Sequence, residues 1–507
     1  MTTTVRETER KYEVADGVEL PGLTGLAGEQ SPVGPEEQTL EAVYFDTDDL
    51  RLAQAGVTLR RRRGGDDAGW HLKLPAGGDS RDEVRVSEAR AGRRRTSPAE
   101  LVALTRALHR GVPLKPVAEL ATRRRRWRLT DENGRVLVEV VDDHVSAHTL
   151  GASTSGMSWR EVEVELGEHG DPELLDLVER RLLEAGVRRS DARSKLARVL
   201  GERLPTPAPA PQLGRKATAG EVVLAYLREQ AEAIRWGDPA VRQDAPDAVH
   251  QMRVAVRRMR SALQAYGKVI DRSATRELTD ELKWLAGVLG DARDLEVLHA
   301  RFTHAVQELP DDLVVGPVQA RLTRYFAGRE ADARTALIAA LDSDRFLALL
   351  TAVDRLLAAP PLTRLARGTA RRELPALVGR TYRRVDGHVR QAHRLSGADR
   401  DLEWHEARKA AKRLRYATEA GAPVLGAPAT RLVNRVKQVQ ELLGDHQDAV
   451  VARPVLREIG IHAHLDGENG FTFGILHAQE TSGTRLVQSE VEDAFRKLRR
   501  STRKVVN

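Results

Sequence analysis

Polar and apolar positions change rhythm once along this chain. Before residue 204 they alternate in short runs: Arg6 to Tyr12, Leu59 to Arg63, Trp70 to Leu74, Asp82 to Val86, Arg123 to Leu129, Val136 to Val141 and Trp159 to Leu166. A period of two sends successive side chains to opposite faces of a strand, and the Gly, Asp and Asn clusters between the runs supply turns. The pattern predicts an antiparallel sheet or barrel with some helices. At Leu204-Pro-Thr-Pro-Ala-Pro-Ala-Pro-Gln212 alternate prolines forbid helix and favour an extended linker. Beyond it, Ala217 to Trp236, Pro246 to Val269, Ser273 to Leu289 and Leu402 to Ala420 carry the helical period and are rich in Ala, Leu, Arg and Glu. The reading is multidomain α+β: a strand-rich unit over 1–203, a Pro/Ala-rich linker over 204–216 and an all-helical unit over 217–503.

The helical unit repeats itself. Ala248-Val-His-Gln-Met-Arg-Val-Ala-Val-Arg-Arg-Met-Arg260 matches Glu403-Trp-His-Glu-Ala-Arg-Lys-Ala-Ala-Lys-Arg-Leu-Arg415. Downstream, Leu289-Gly-Asp-Ala-Arg-Asp294 matches Leu443-Gly-Asp-His-Gln-Asp448 at nearly the same offset, and both read as turns. Two correlated matches predict a duplication, about 217–360 and 361–503, with pseudo-twofold symmetry.

At 507 residues the chain can bury more than one core. No apolar run reaches the roughly eighteen residues of a membrane span, the first residues lack the apolar stretch of a secretory signal, and cysteine is absent. Cytoplasmic residence, away from membrane, is the expectation. Lys and Arg total 81 against 74 acids, an excess that by itself points only weakly to a polyanion. Aromatics are 4%, and no basic stretch is interleaved with stacking rings, which places nucleic acid behind phosphate chains as a partner.

Where the charges fall says more. Glu7, Glu9 and Lys11 share one strand face, as do Glu161, Glu163 and Glu165. Adjacent carboxylates repel unless a cation lies between them, and hard oxygen ligands suit Mg²⁺ or Mn²⁺. Either motif alone reads as a solvated edge-strand face. The basic strands alter that weighting: Arg60 with Arg62, His71 with Lys73, Arg81 and Glu83 with Arg85, and Arg124 with Arg126 each share a face. Mixed charges inside a small barrel are costly unless a ligand pairs them, and a phosphate chain held with a divalent metal satisfies both signs.

With Tyr44-Phe45-Asp46-Thr47, Leu72-Lys73 and Ser194-Lys195, these motifs resemble the CYTH superfamily, the triphosphate tunnel metalloenzymes, over roughly residues 5 to 200. The resemblance implies an eight-stranded antiparallel tunnel whose relatives hydrolyse inorganic triphosphate, thiamine triphosphate or RNA 5′-triphosphates, or cyclise ATP. Carried over by position, Glu7, Glu9, Glu161 and Glu163 would hold the metal, with Asp143 preferred over Asp142 because it shares strand parity with Glu139. Arg60, Arg62, Lys73, Arg85, Arg124 and Lys195 would clamp phosphate oxygens, and Lys11 would lie beside the terminal phosphoryl group. Glu7, Glu9 and Lys11 are then the catalytic set, serving in-line attack of water.

In the helical unit, His250, Arg253, Arg257 and Arg260 fall on one helix stripe, and His405, Arg408, Lys412 and Arg415 repeat the spacing. A solvated charged face is the plain reading. Stacked like charges repel without a counter-anion, and the arrangement occurs twice, which favours a polyanion between the two helices. This part resembles the CHAD domain over about residues 215 to 500, which implies two four-helix bundles that bind inorganic polyphosphate through those eight residues and associate with polyphosphate granules. His446, His462 and His464 lack the carboxylate or cysteine partners of a metal site. The expected function is metal-dependent hydrolysis of inorganic triphosphate or short polyphosphate, with polyphosphate binding by the helical unit. The alternatives are a non-catalytic polyphosphate-binding, granule-associated protein and, behind it, an adenylate cyclase, for which no adenine-recognition signal stands in the sequence.

Overall fold

The computed structural model describes residues 3–15, 17–26, 33–88, 96–151, 154–205, 213–483 and 488–506. The chain divides into two compact units, Met1–Ala208 and Pro209–Asn507. Residues 206–212 of the expected linker lie outside the described residues.

Among the described residues eight long strands build the barrel of the first unit, β1 Thr3–Glu13, β2 Val33–Asp46, β3 Thr58–Arg63, β4 Gly69–Pro75, β5 Ser80–Ser87, β6 Lys115–Thr130, β7 Val136–Thr149 and β8 Gly156–Leu166, and a two-residue strand, β9 Arg188–Arg189, pairs with the end of β1. They run antiparallel in the order β5-β4-β3-β2-β6-β7-β8-β1, and β1 also pairs with β5, which closes the barrel. Closure leaves no free edge. The apolar member of each alternating pair faces outward. Tyr12, Val138, Val140, Val162 and Val164 pack under helix α1 (Glu173–Glu184) through Leu175, Val178 and Leu182. The lumen therefore receives the charged member. At one end the inward positions turn apolar, and Leu120, Val145 and Ala147 meet Leu196, Val199 and Leu200 of helix α2 (Lys195–Leu200), which closes that end.

Each half of the second unit supplies five helices among the described residues: α3 Ala219–Arg242, α4 Ala248–Ala265, α5 Arg276–Gln307, α6 Val318–Asp342 and α7 Asp344–Ala358, then α8 Ala370–Ala392, α9 Gly397–Leu425, α10 Ala427–Leu465, α11 Phe471–Gly483 and α12 Gln488–Val506. In the second half α8, α9, α10 and α12 surround one core, with Val378, Leu414, Val436 and Leu498 at its centre. The far ends of the long helices α5 and α10 extend past the bundles and share a further core with α6 and α11, built on Phe302, Phe326, Leu456 and Phe473. The expected symmetry is visible where the halves meet. Ala219 N–H donates to the Gly368 carbonyl at 2.8 Å and Ala370 N–H to the Ala217 carbonyl at 2.9 Å, a reciprocal pair between the starts of α3 and α8.

The expected turns at Leu289–Asp294 and Leu443–Asp448 are not turns: both motifs lie inside α5 and α10. An interior glycine costs a helix about 1 kcal/mol relative to alanine, and here its missing Cβ makes room. A Cβ on Gly290 would stand 3.3 Å from the Arg253 guanidinium, and one on Gly444 would stand 3.5 Å from that of Arg408. The glycines seat the two arginines against their neighbouring helices.

Leu414 is fully buried beneath the α9 stripe. Leu414→Ala should destabilise the helical unit by about 2–5 kcal/mol, read as a lower unfolding midpoint in denaturant.

Candidate functional site

The barrel lumen encloses a cavity of about 380 Å³. Its walls are segregated by charge. Glu7, Glu9, Glu139, Glu163 and Glu165 come from the neighbouring strands β1, β7 and β8, whereas Arg60, Arg62, Lys73, Arg81, Arg85, Arg124 and Arg126 come from β3 to β6. Lys11 on the acidic wall breaks the pattern, as do Glu83 and the turn residues Asp66 and Asp67 on the basic one. Of the residues expected from sequence, Glu7, Glu9, Lys11, Arg60, Arg62, Lys73, Arg85, Arg124, Glu163 and Lys195 all line this cavity.

The contacts bind one wall to the other. Lys73 Nζ lies 2.5 Å from Glu7 and 3.7 Å from Glu9, and Arg85 donates to Glu7 at 2.6 Å and to Glu83. Lys11 donates to Glu163 and stands 3.1 Å from Glu9. Arg124 donates to both Asp143 oxygens at 2.8 and 2.7 Å, a bidentate fork. Asp142 faces away from the lumen and accepts a matching fork from Arg160. His71 shares the face of Lys73 but is sealed between Glu83 and the Asp67 carbonyl.

Three acids converge. Carboxylate oxygens of Asp143, Glu161 and Glu163 all lie within 4.8 Å of one another and could hold a metal ion. Lys195, the first residue of α2, puts its ammonium 3.0, 2.7 and 2.8 Å from them. The Ser194 hydroxyl fixes that position by accepting from Ala197 N–H at 3.0 Å as the helix cap. Glu7 and Glu9, placed with those acids in the sequence reading, lie outside this cluster and are taken up by Lys73, Arg85 and Lys11. Asp66 and Asp67 of the β3–β4 turn, which pair with Arg126 and Arg62, had no signal in the sequence beyond ordinary turn composition.

The electrostatics follow the segregation. Burial pushes Glu9 up, but Lys11 and Lys73 outweigh it and hold the carboxyl near 2. Burial and the Glu7 charge raise Glu165 to about 7. On the basic wall, burial and then Arg60 and Arg124 pull Arg62 down to about 9, whereas Arg60 and Arg124 are held above their ordinary range against burial, by Tyr44 and Glu83 and by Asp143 respectively.

In the helical unit α4 and α9 pack against each other, and their basic stripes meet. Arg253 donates to Asp294 at 2.7 Å, and Arg408 stands 3.5 Å from Asp448 at the equivalent place in the other half. His405 donates to Gln447 at 2.8 Å, where the first half has Arg293, which instead reaches Asp247 and Glu296. Burial lowers Arg257, and Arg253 and Arg408 add to the shift. Lys412 suffers most: burial, then Arg257, Arg408 and Arg253, pull it down to about 6.

Family models match both units, the CYTH domain over residues 5–200 and the CHAD domain over residues 225–457. The chain belongs to the CYTH and CHAD families. It is similar along its length to the uncharacterized protein Rv2226 of Mycobacterium tuberculosis, 39% identical over 520 residues that cover 98% of this chain and 97% of that protein. Among solved structures it is similar to the CHAD domain from the plant Ricinus communis, at 26% identity over 58% of this chain and 96% of that one, TM-score 0.46. PptA from Streptomyces chartreusis is similar at 22% identity over 57% of this chain and all of that one, TM-score 0.43.

The CYTH acid triad offers only hard oxygen donors, the set that suits a small divalent cation, and such an ion would have to displace the Lys195 ammonium. Among the described residues no helix is long and apolar enough to cross a membrane.

A polyanion laid between the CHAD stripes would raise the Lys412 pKa, so binding above pH 6 takes up a proton. The sign follows: the affinity of a polyanion bound there, such as a polyphosphate probe, would strengthen as pH falls from about 8 to 6, by up to about ten-fold per unit. Calorimetry in buffers of different ionisation enthalpy measures the uptake. Lys412→Met should flatten the profile, and Lys412→Arg should keep tight binding without it.

Proposed function

We propose that the CYTH unit hydrolyses inorganic triphosphate or short polyphosphate with Mg²⁺ or Mn²⁺, and that the CHAD unit binds polyphosphate, in a cytoplasmic protein drawn to polyphosphate granules. One observation carries the reading: an acidic wall on β1, β7 and β8 faces a basic wall on β3 to β6 across a cavity sized for a few phosphate groups. A chain of phosphates fits the basic wall and a divalent ion the acidic one, and each neutralises the charge the other needs.

Arg60, Arg62 and Arg124 would take phosphate oxygens as forks, with Lys73 and Arg85 as further cations. Lys11, already between Glu9 and Glu163, stands where it can neutralise charge that develops on the terminal phosphoryl group as water attacks in line and the bridging oxygen departs with the remaining phosphates. Asp143, Glu161 and Glu163 would hold Mg²⁺ or Mn²⁺, which would supply polarisation of the phosphate and activation of water. Catalysis is then positioning and charge compensation by a preformed lumen.

Lys195 favours a second reading. Its ammonium satisfies all three acids without a metal, as in a protein that grips phosphate chains and does not turn them over. Phosphate release from tripolyphosphate across Mg²⁺ and Mn²⁺ separates the two. The enzyme reading expects metal-dependent turnover that falls about a hundred-fold or more in Glu161→Gln with Glu163→Gln; tight binding without turnover in the unaltered chain establishes the other. For the CHAD unit, Arg253→Ala with Arg408→Ala should weaken retention on immobilised polyphosphate and lessen its salt dependence.

A further inference from the structure

Away from the facing stripes, the CHAD unit concentrates positive charge a second time. On α12, Val491, Leu498 and Val505 turn inward, while Arg496, Arg499, Arg500, Arg503 and Lys504 are exposed. On α8, Arg383, Arg384 and Arg390 are exposed. The two helices are joined at Asp386, which accepts from Arg499 at 3.1 Å and stands 3.0 Å from Arg390, so the two basic faces form one surface. Arg384, Arg500, Arg503 and Lys504 have no ion pair among the described residues. Arg500 with Lys504, and Arg499 with Arg503, are like charges one helical turn apart, which repel.

A solvated arginine face is the plain account of such a patch. Continuity argues against it. Helix α9 packs along α8, and on it Arg413, half-buried next to Lys412, is held below its usual basicity by burial and the Arg384 charge, with Glu406 relieving and Arg260 adding to the shift. Positive charge therefore runs from the end of the α4 stripe, over Arg413, to α8 and across Asp386 to α12. A line of cations that begins in a polyanion groove and continues on the outside suits a flexible, narrow polyanion that can do both.

We propose that the α8–α12 face is an external track for the run of a long polyphosphate chain that emerges from the groove between α4 and α9. This rests on the CHAD reading above for the groove and adds a second stretch of contact that short chains do not reach. Neither α8 nor α12 exposes a Phe, Tyr or Trp among the described residues, so the face offers no platform for stacked bases, which favours polyphosphate over single-stranded nucleic acid.

The test uses the full chain and two probes, tripolyphosphate and long-chain polyphosphate, with affinity measured across salt concentrations. In a quadruple variant, Arg384→Gln, Arg500→Gln, Arg503→Gln and Lys504→Gln, long-chain affinity should fall about ten-fold or more and the slope of log affinity against log salt should become shallower by about three, at roughly 0.7 per lost contact. Tripolyphosphate binding and hydrolysis should not change, and the same four positions as Lys (with Lys504 retained) should restore the long-chain affinity. Unchanged long-chain affinity or an equal loss for both probes overturns the track. Arg257→Ala with Arg408→Ala, run in parallel, judges the groove separately: if that variant leaves long-chain affinity intact while the quadruple variant lowers it, the groove reading fails and the outer surface stands as a polyphosphate site in its own right.

Discussion

Charges of one sign held together at low dielectric are the constraint to which this protein answers twice. Bringing Arg60, Arg62 and Arg124 into a closed lumen costs desolvation and mutual repulsion, which their neighbours offset for Arg60 and Arg124 but not for Arg62. In the CHAD unit the deficit is larger. Lys412 faces Arg253, Arg257 and Arg408 with Asp448 as its nearest relief, and its basicity collapses accordingly. A group pushed this far from its ordinary ionisation marks a candidate functional site.

The scaffold must be stiff enough to keep such charges from separating. In the barrel the stiffness comes from closure: β1 is held by β5 along Thr3–Thr8 and by β8 along Glu9–Glu13, so the strand that carries Glu7, Glu9 and Lys11 has partners on both flanks. The apolar coat lies outside, under α1, and leaves the inward positions free for charge. In the helical unit the stiffness comes from helices longer than the bundle needs. α5 and α10 continue into a separate apolar core with α6 and α11, so the segments that face the stripes are anchored beyond them.

Much of this was legible in the sequence because strand parity is a strong signal. Glu7, Glu9 and Lys11 needed only a period of two to be placed on one wall, and the same parity put Asp143 inside while Asp142 met Arg160 outside. Parity failed where polar residues occupy both faces. β2 escapes the period-two pattern, because Glu36, Glu37, Gln38 and Thr39 show no alternation. The glycine motifs of α5 and α10 were read as turns because glycine usually punctuates; their reason is a guanidinium packed against the backbone, a contact between helices that no local pattern encodes. The engagement of Lys195 with Asp143, Glu161 and Glu163 was hidden likewise, since it depends on α2 closing the end of the barrel.

The duplication is faithful where it sets charge across the groove and lapses elsewhere, and the lapses give the CHAD unit a direction. Arg253 and Arg408 keep equivalent acidic partners, so the facing stripes alone would treat the two ends of a bound chain alike. The outer helices do not match: α3 and α7 carry acids and bases in near balance, whereas α8 and α12 are dominated by arginine. Arg293 in one half, tied to Asp247 and Glu296, gives way to Gln447 in the other, which holds His405. On the proposed reading, a groove with matched acidic partners joined to a one-sided basic exterior would have a defined exit, and a long polyanion would be drawn toward the second half, where positive charge continues over α8 and α12.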